Sequence, residues 1–161
     1  MLFVELAKYQ RKKIKEGTPE FDAFKEALHY VNETLAKAMA GDGEGATALF
    51  EVKVVGAQTK EQAKVLAKSV VCSNLTKAAI AGHDANWGRI LCAIGYAEAD
   101  FDIDKVDVWM ASSAGSIKVC ENGSGVEFSE EEAAKILAED EIMINIDLKQ
   151  GSAEAKAWGC D

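Results

Sequence analysis

Positive charge is what this sequence is short of: 18 Lys and Arg stand against 27 Asp and Glu, a formal net charge of −9. A nucleic-acid binder neutralises phosphates with a basic stripe, whereas the Lys and Arg here are scattered. The one cluster, Arg11-Lys12-Lys13, reads as a solvated helix face. A nucleic-acid partner is excluded on that ground. Histidine and clustered cysteine are scarce too. His29 and His83 stand alone, and Cys72, Cys92, Cys120 and Cys160 are far apart, with no C-x-x-C. Structural zinc needs thiolates and imidazoles at short spacing, so no metal site is expected. No secretory signal precedes the cysteines, which points to a reduced, cytoplasmic setting. No apolar run approaches the ~20 residues of a membrane span, so no membrane partner is expected.

What is present is enough apolar material for a core. The chain has 161 residues, nearly half of them hydrophobic, about one domain and no disordered tail. Thr18-Pro19 supplies an N-cap followed by proline at the first helical position. Phe21, Phe24, Leu28, Val31, Leu35 and Ala38 then recur at spacings of three and four, one apolar stripe of a helix. The stripe is too short for a convincing coiled coil, and the expectation is a helix packed on a sheet. Phe50, Val52 and Val54 alternate with Glu51 and Lys53, as in a half-buried strand. A capping box at 59–62 opens a second helix, which Ser73 and Asn74 close; residues 75–81 read as a short buried strand.

Further on, Asp84-Ala85-Asn86 offers caps for a helix running to Gly95, and residues 106–111 are strand-like. A hairpin is expected from 116–120 to 126–128 around Asn122-Gly123, whose residues tolerate positive φ. Ser129 caps a helix to about Glu139, and Ile142, Ile144, Ile146 and Leu148 make the cleanest strand, with 153–158 expected to pair with it. This order predicts α+β or layered α/β architecture, sheets flanked by helices, and not a doubly wound sheet.

Two segments carry candidate chemistry. Gly41-Asp42-Gly43-Glu44-Gly45-Ala46-Thr47 puts two carboxylates on a glycine-rich bend. Its G-x-G-x-x-A spacing is not a dinucleotide fingerprint, because it lies between helix and strand in the wrong order and its acids would repel phosphate. It is either a plain turn or a carboxylate site for a cationic group. Asn86-Trp87-Gly88-Arg89 either holds a carboxylate or orients a catalytic loop, or else it is an N-capped helix whose Trp fills the core and whose Arg pairs with a local acid. Asp100, Asp102 and Asp104 lack the glycine and distal glutamate of a calcium loop and read as a solvated loop.

Four segments together carry a resemblance: 41–47, Ser73-Asn-Leu-Thr-Lys-Ala-Ala-Ile80, Gly82-His-Asp-Ala-Asn-Trp-Gly-Arg-Ile90 and Ala157-Trp-Gly-Cys-Asp161. In order and spacing, from Glu16 to Asp161, they resemble the ornithine acetyltransferase (glutamate N-acetyltransferase, ArgJ) family of arginine biosynthesis. The resemblance implies a precursor that cleaves itself before a threonine into α and β subunits. The new N-terminal threonine takes acetyl from N-acetylornithine and passes it to glutamate by double displacement. Acetyl-CoA is a conceivable donor in the parent enzyme, and no cofactor is otherwise implied. An ArgJ/DmpA-like layered α/β fold, typically built from two αβ units, is implied as well.

Glu44 matches the family's substrate-site glutamate, suited to holding the amine of ornithine or glutamate and its proton. Asn86 and Arg89 match an Asn-Trp-Gly-Arg motif with a supporting role, and Asp42 is taken as structural. No segment here resembles the α half or carries the cleavage threonine, and residues 1–15 do not resemble the expected upstream region. The resemblance thus implies a domain at 16–161 from the C-terminal portion of the β half, after a non-matching extension at 1–15. Its partners would be the α half and the rest of β, and self-association is conceivable. By itself the chain is expected to transfer no acetyl group; the alternative is a non-catalytic binding or assembly domain on the same scaffold.

Overall fold

The nine residues Leu49–Ala57 form β1, the first strand of the sheet in chain order. Phe50, Val52 and Val54 are fully buried while Glu51 and Lys53 face the other way, as the alternation requires. The computed structural model describes residues 14–161, so the Arg11-Lys12-Lys13 cluster and all but the last two residues of the 1–15 extension lie outside the described residues. Contacts divide the chain into a unit up to Leu35 and a unit from Ala36 to Asp161.

Helix α1, Pro19–Gly41, begins where Thr18 and Pro19 place it, with Thr18 Oγ1 accepting from the Phe21 amide at 3.3 Å. The expected burial of its stripe is not found within its own unit. Phe24, Leu28, Val31 and Leu35 are each about half exposed, and α1 buries no residue at all. Helical periodicity shows which face is apolar; it does not show what covers that face.

In the second unit, β1 is followed by α2 (Lys60–Val71), α3 (Asn74–Ala81), α4 (Trp87–Gly95), β2 (Asp107–Ser112), β3 (Gly115–Glu121), β4 (Ser124–Gly125), α5 (Glu130–Leu137), β5 (Glu141–Asp147) and β6 (Ala153–Cys160). The strands make one six-stranded mixed sheet in the order β4-β3-β2-β5-β1-β6. Register aligns Phe50 with Ile142, Val52 with Ile144 and Met110 with Ile144, so one face of the sheet is continuously apolar. Helices α2, α4 and α5 bury Leu66, Ile90 and Leu137 in the same cluster. The opposite face is polar: Glu51 accepts from Trp158 Nε1 at 2.7 Å and pairs with Lys156 at 3.1 Å.

Four expectations need correcting. Residues 75–81 are helical, not a strand: Thr76, Ala79 and Ile80 are buried at spacings of three and one, a helical face in an alanine-rich run. Ser73 does not close α2, which ends at Val71; its Oγ accepts from the Thr76 amide and caps α3. The hairpin returns through Ser124–Gly125 and not 126–128, because Asn122 and Gly123, with φ of 48° and 71°, make a two-residue turn. Strand β6 does not pair with β5. It pairs antiparallel with β1, whose other side takes β5 in parallel. Alternation gives each strand's faces but not its neighbours.

Candidate functional site

The glycine-rich segment closes as a β-turn, with the Ala46 amide donating to the Gly43 carbonyl at 3.0 Å. Gly45 occupies the third position with φ +79°, a conformation that glycine adopts without penalty. Glu44, at the second position, is therefore carried on the tip and is exposed. Gly43 is required for a different reason: a Cβ there would stand 2.5 Å from Cys160 Sγ, so the turn lies directly on the end of β6. Asp42 is exposed beside an open depression lined by Ala38, Met39, Gly41 and Asp42. Neither Asp42 nor Glu44 makes a side-chain hydrogen bond or ion pair among the described residues.

The turn is fastened where it meets β1. The Asp161 carboxylate accepts from the amides of Thr47 at 2.8 Å and Ala48 at 2.9 Å, and from the Thr47 hydroxyl at 2.5 Å. Burial works against ionising Asp161, but the Thr47 hydroxyl and the two amides outweigh it and hold its pKa below the ordinary carboxylate value. All of those donors are neutral, and none of them carries a charge to offset that of the carboxylate.

The same strand end is held from the other side. Lys77 on α3 donates from Nζ to the Cys160 carbonyl, and Arg89 on α4 donates to the Leu75 carbonyl at 3.1 Å. The four segments singled out in the sequence are thus joined in series: Arg89 to Leu75, Lys77 to Cys160, Asp161 to Thr47 and Ala48. Asn86 caps α4, its Oδ1 accepting from the Arg89 amide at 3.1 Å and its Nδ2 donating to Asp84 at 3.0 Å. Trp87 packs against the core and sits so close over Gly125 that a Cβ there would meet the ring at 2.5 Å. Arg89 bonds the Leu75 carbonyl in the first turn of α3 and not the acid that the sequence suggested, and neither Asn86 nor Arg89 bonds Glu44. Among the described residues no group of three or more His, Cys, Asp or Glu could hold a metal ion.

Sequence reasoning quoted Thr47, Lys77 and Asp161 within motifs but assigned them no part. The Thr47–Asp161 contact joins residues 114 apart in the chain, and nothing in their local sequence marks the pairing.

Compared with known proteins, the chain matches the ArgJ family over residues 2–161. That match begins ahead of Glu16, where the motifs had placed the start of the resemblance. It is 56% identical over 152 residues to the arginine biosynthesis bifunctional protein ArgJ of Caldanaerobacter subterraneus subsp. tengcongensis, covering 94% of this chain and 38% of that protein. The protein of the same name from Thermotoga neapolitana is 50% identical over 148 residues, covering 92% and 37%. The crystal structure of arginine biosynthesis bifunctional protein argJ from Bacillus halodurans superposes with a TM-score of 0.87 at 42% identity, covering 98% of this chain and 71% of that one. The chain therefore spans under two-fifths of the length of the curated relatives it matches.

Proposed function

This chain belongs to the ArgJ family, and from that premise we propose that it forms part of a cytoplasmic glutamate N-acetyltransferase exchanging acetyl between N-acetylornithine and glutamate in arginine biosynthesis. In this reading Glu44 is the substrate-site carboxylate. It binds the cationic amine of the acceptor or departing amino acid and carries the proton that the amine gains or loses as acetyl moves. The attacking threonine comes from polypeptide outside this chain, and no cofactor is needed beyond the acyl donor. Asn86 and Arg89 act at a distance, by holding α4 and α3 behind the strand that seats the turn.

The observation that supports this reading best is electrostatic. Glu44 stands exposed at a turn tip with no cation bonded to it among the described residues, beside Asp42 in the same state. A carboxylate so placed attracts an ammonium group instead of serving the fold. The apolar stripe of α1, about half exposed, suits assembly with the remaining polypeptide of such an enzyme.

The test is complementation. The chain alone should transfer no acetyl from N-acetylornithine to glutamate, and the chain combined with the missing polypeptide should do so. Glu44→Gln in the combined enzyme should then lower kcat/KM at least ~100-fold. Full activity of Glu44→Gln would sink the assignment. Transfer by the chain alone would sink the claim that its nucleophile lies elsewhere.

A further inference from the structure

We infer that Asp161 is the positioning residue of the Glu44 turn, fixing the direction in which that carboxylate meets its substrate; this rests on the function proposed above. The turn of Gly43 to Ala46 has one internal hydrogen bond, from the Ala46 amide to the Gly43 carbonyl. On the α1 side, Asp42 adds no side-chain bond. On the β1 side, three donors from Thr47 and Ala48 converge on one carboxylate. Gly43 rests on Cys160, the residue next to Asp161, so the end of β6 supports both limbs of the turn. The strand end is in turn held by Lys77 through the Cys160 carbonyl. Glu44 itself has no bond to orient it among the described residues. Its direction is therefore inherited from the backbone that Asp161 holds.

The chemistry of the clasp makes it selective for a carboxylate. Thr47 offers two N–H and O–H donors and Ala48 a third, and only an acceptor-only group takes all three without leaving one unpaired. Asparagine keeps one acceptor oxygen for the two amides and can bond the Thr47 hydroxyl only by donating to it from Nδ2. Alanine keeps nothing. Because the donors are neutral, ionised Asp161 satisfies the turn while leaving local negative charge available to an approaching ammonium.

The experiment has two arms. In the chain itself, amide hydrogen exchange is followed for Ala46, Thr47, Ala48 and the β1 amides of Val52 and Val54, in the parent, Asp161→Ala, Asp161→Asn and Thr47→Val. Asp161→Ala should speed exchange at Thr47, Ala48 and also Ala46 at least ~10-fold, Asp161→Asn less, and Thr47→Val least, with Val52 and Val54 unchanged. Acceleration at Thr47 and Ala48 with Ala46 unmoved would overturn the inference, since the clasp would then end at the strand. In the complemented enzyme, Asp161→Ala should lower kcat ~10- to 100-fold with a smaller change in KM, and Asp161→Asn should recover part of the loss. A kcat within twofold of the parent, when Glu44→Gln is inactive, would also overturn it. If Glu44→Gln is fully active, the reading of Glu44 fails, and the Ala46 exchange rate alone decides whether Asp161 orders the turn.

Discussion

The two ends of the sheet treat their carboxylates in opposite ways. Where β1 and β5 finish, Asp107 is buried at 4% exposure and bonded by Lys149 Nζ at 2.6 Å, Lys118 Nζ at 2.9 Å and the Asn122 amide at 2.8 Å. Lys149 also reaches Asn122 Oδ1 at 2.9 Å. Where β1 begins, Asp161 takes only neutral donors, and Asp42 and Glu44 take none among the described residues. One end is electrostatically closed, and its acid serves the fold. The other end carries acid that the fold does not neutralise. A charged group whose partner is missing inside the molecule is the one available to something outside it.

That contrast can be broken from the closed end first. Asp107→Ala should produce the largest change in stability, about 3 kcal/mol, by leaving two lysines facing one another near a buried strand end. Chemical denaturation would measure it, and a loss below ~1 kcal/mol would mean that the lysines simply turn to solvent.

Gly43→Ala comes next, at about 1–3 kcal/mol, because its methyl would overlap Cys160 Sγ. The double variant Gly43→Ala with Cys160→Ala should recover much of that loss in thermal melts. Gly45→Ala should cost about 1–2 kcal/mol through its positive φ alone, since nothing lies within 4 Å of the added carbon and no second substitution can relieve it.

Acid sharpens the comparison further. Burial opposes ionisation of Asp107, but Lys149, the Asn122 amide and Lys118 together depress its pKa, as neutral donors do for Asp161. A depressed folded pKa contributes stability that is present above the unfolded value, about 3.9, and lost as pH falls through the folded one. Stability should therefore fall from pH 5 downward, and Asp107→Asn and Asp161→Asn should each flatten that slope. Smallest of all, Glu44→Gln should shift stability by less than ~0.5 kcal/mol, as expected of an exposed side chain without a partner. A larger loss would show that Glu44 has a structural role.

Much of this organisation could be read from residue order, and the failures follow a pattern. β1, α2, α4, α5 and β5 were legible because period or capping residues mark them locally. The α3 segment was misread because Leu75, Ala78, Ala79 and Ile80 form a short apolar run compatible with either state. The partner of β6 was misassigned because strand pairing depends on the whole sheet. Glu44 and its bend stood out through glycine chemistry. Asp161 did not, since its partners are set by a fold that brings the end of β6 beside the start of β1.

The placing of β6 has a consequence for when the site comes into being. The turn at 43–46 emerges during synthesis more than a hundred residues before Cys160 and Asp161, yet its backing and its clasp belong to them. Until then β1 lacks its β6 neighbour, and Glu44 hangs on an unfastened loop. Non-local pairing of this kind is slow to close, so the nascent polypeptide carries its acidic pair without a shaped platform until β6 docks. The turn then acquires its backing and its clasp together, at the step that seats β6 beside β1.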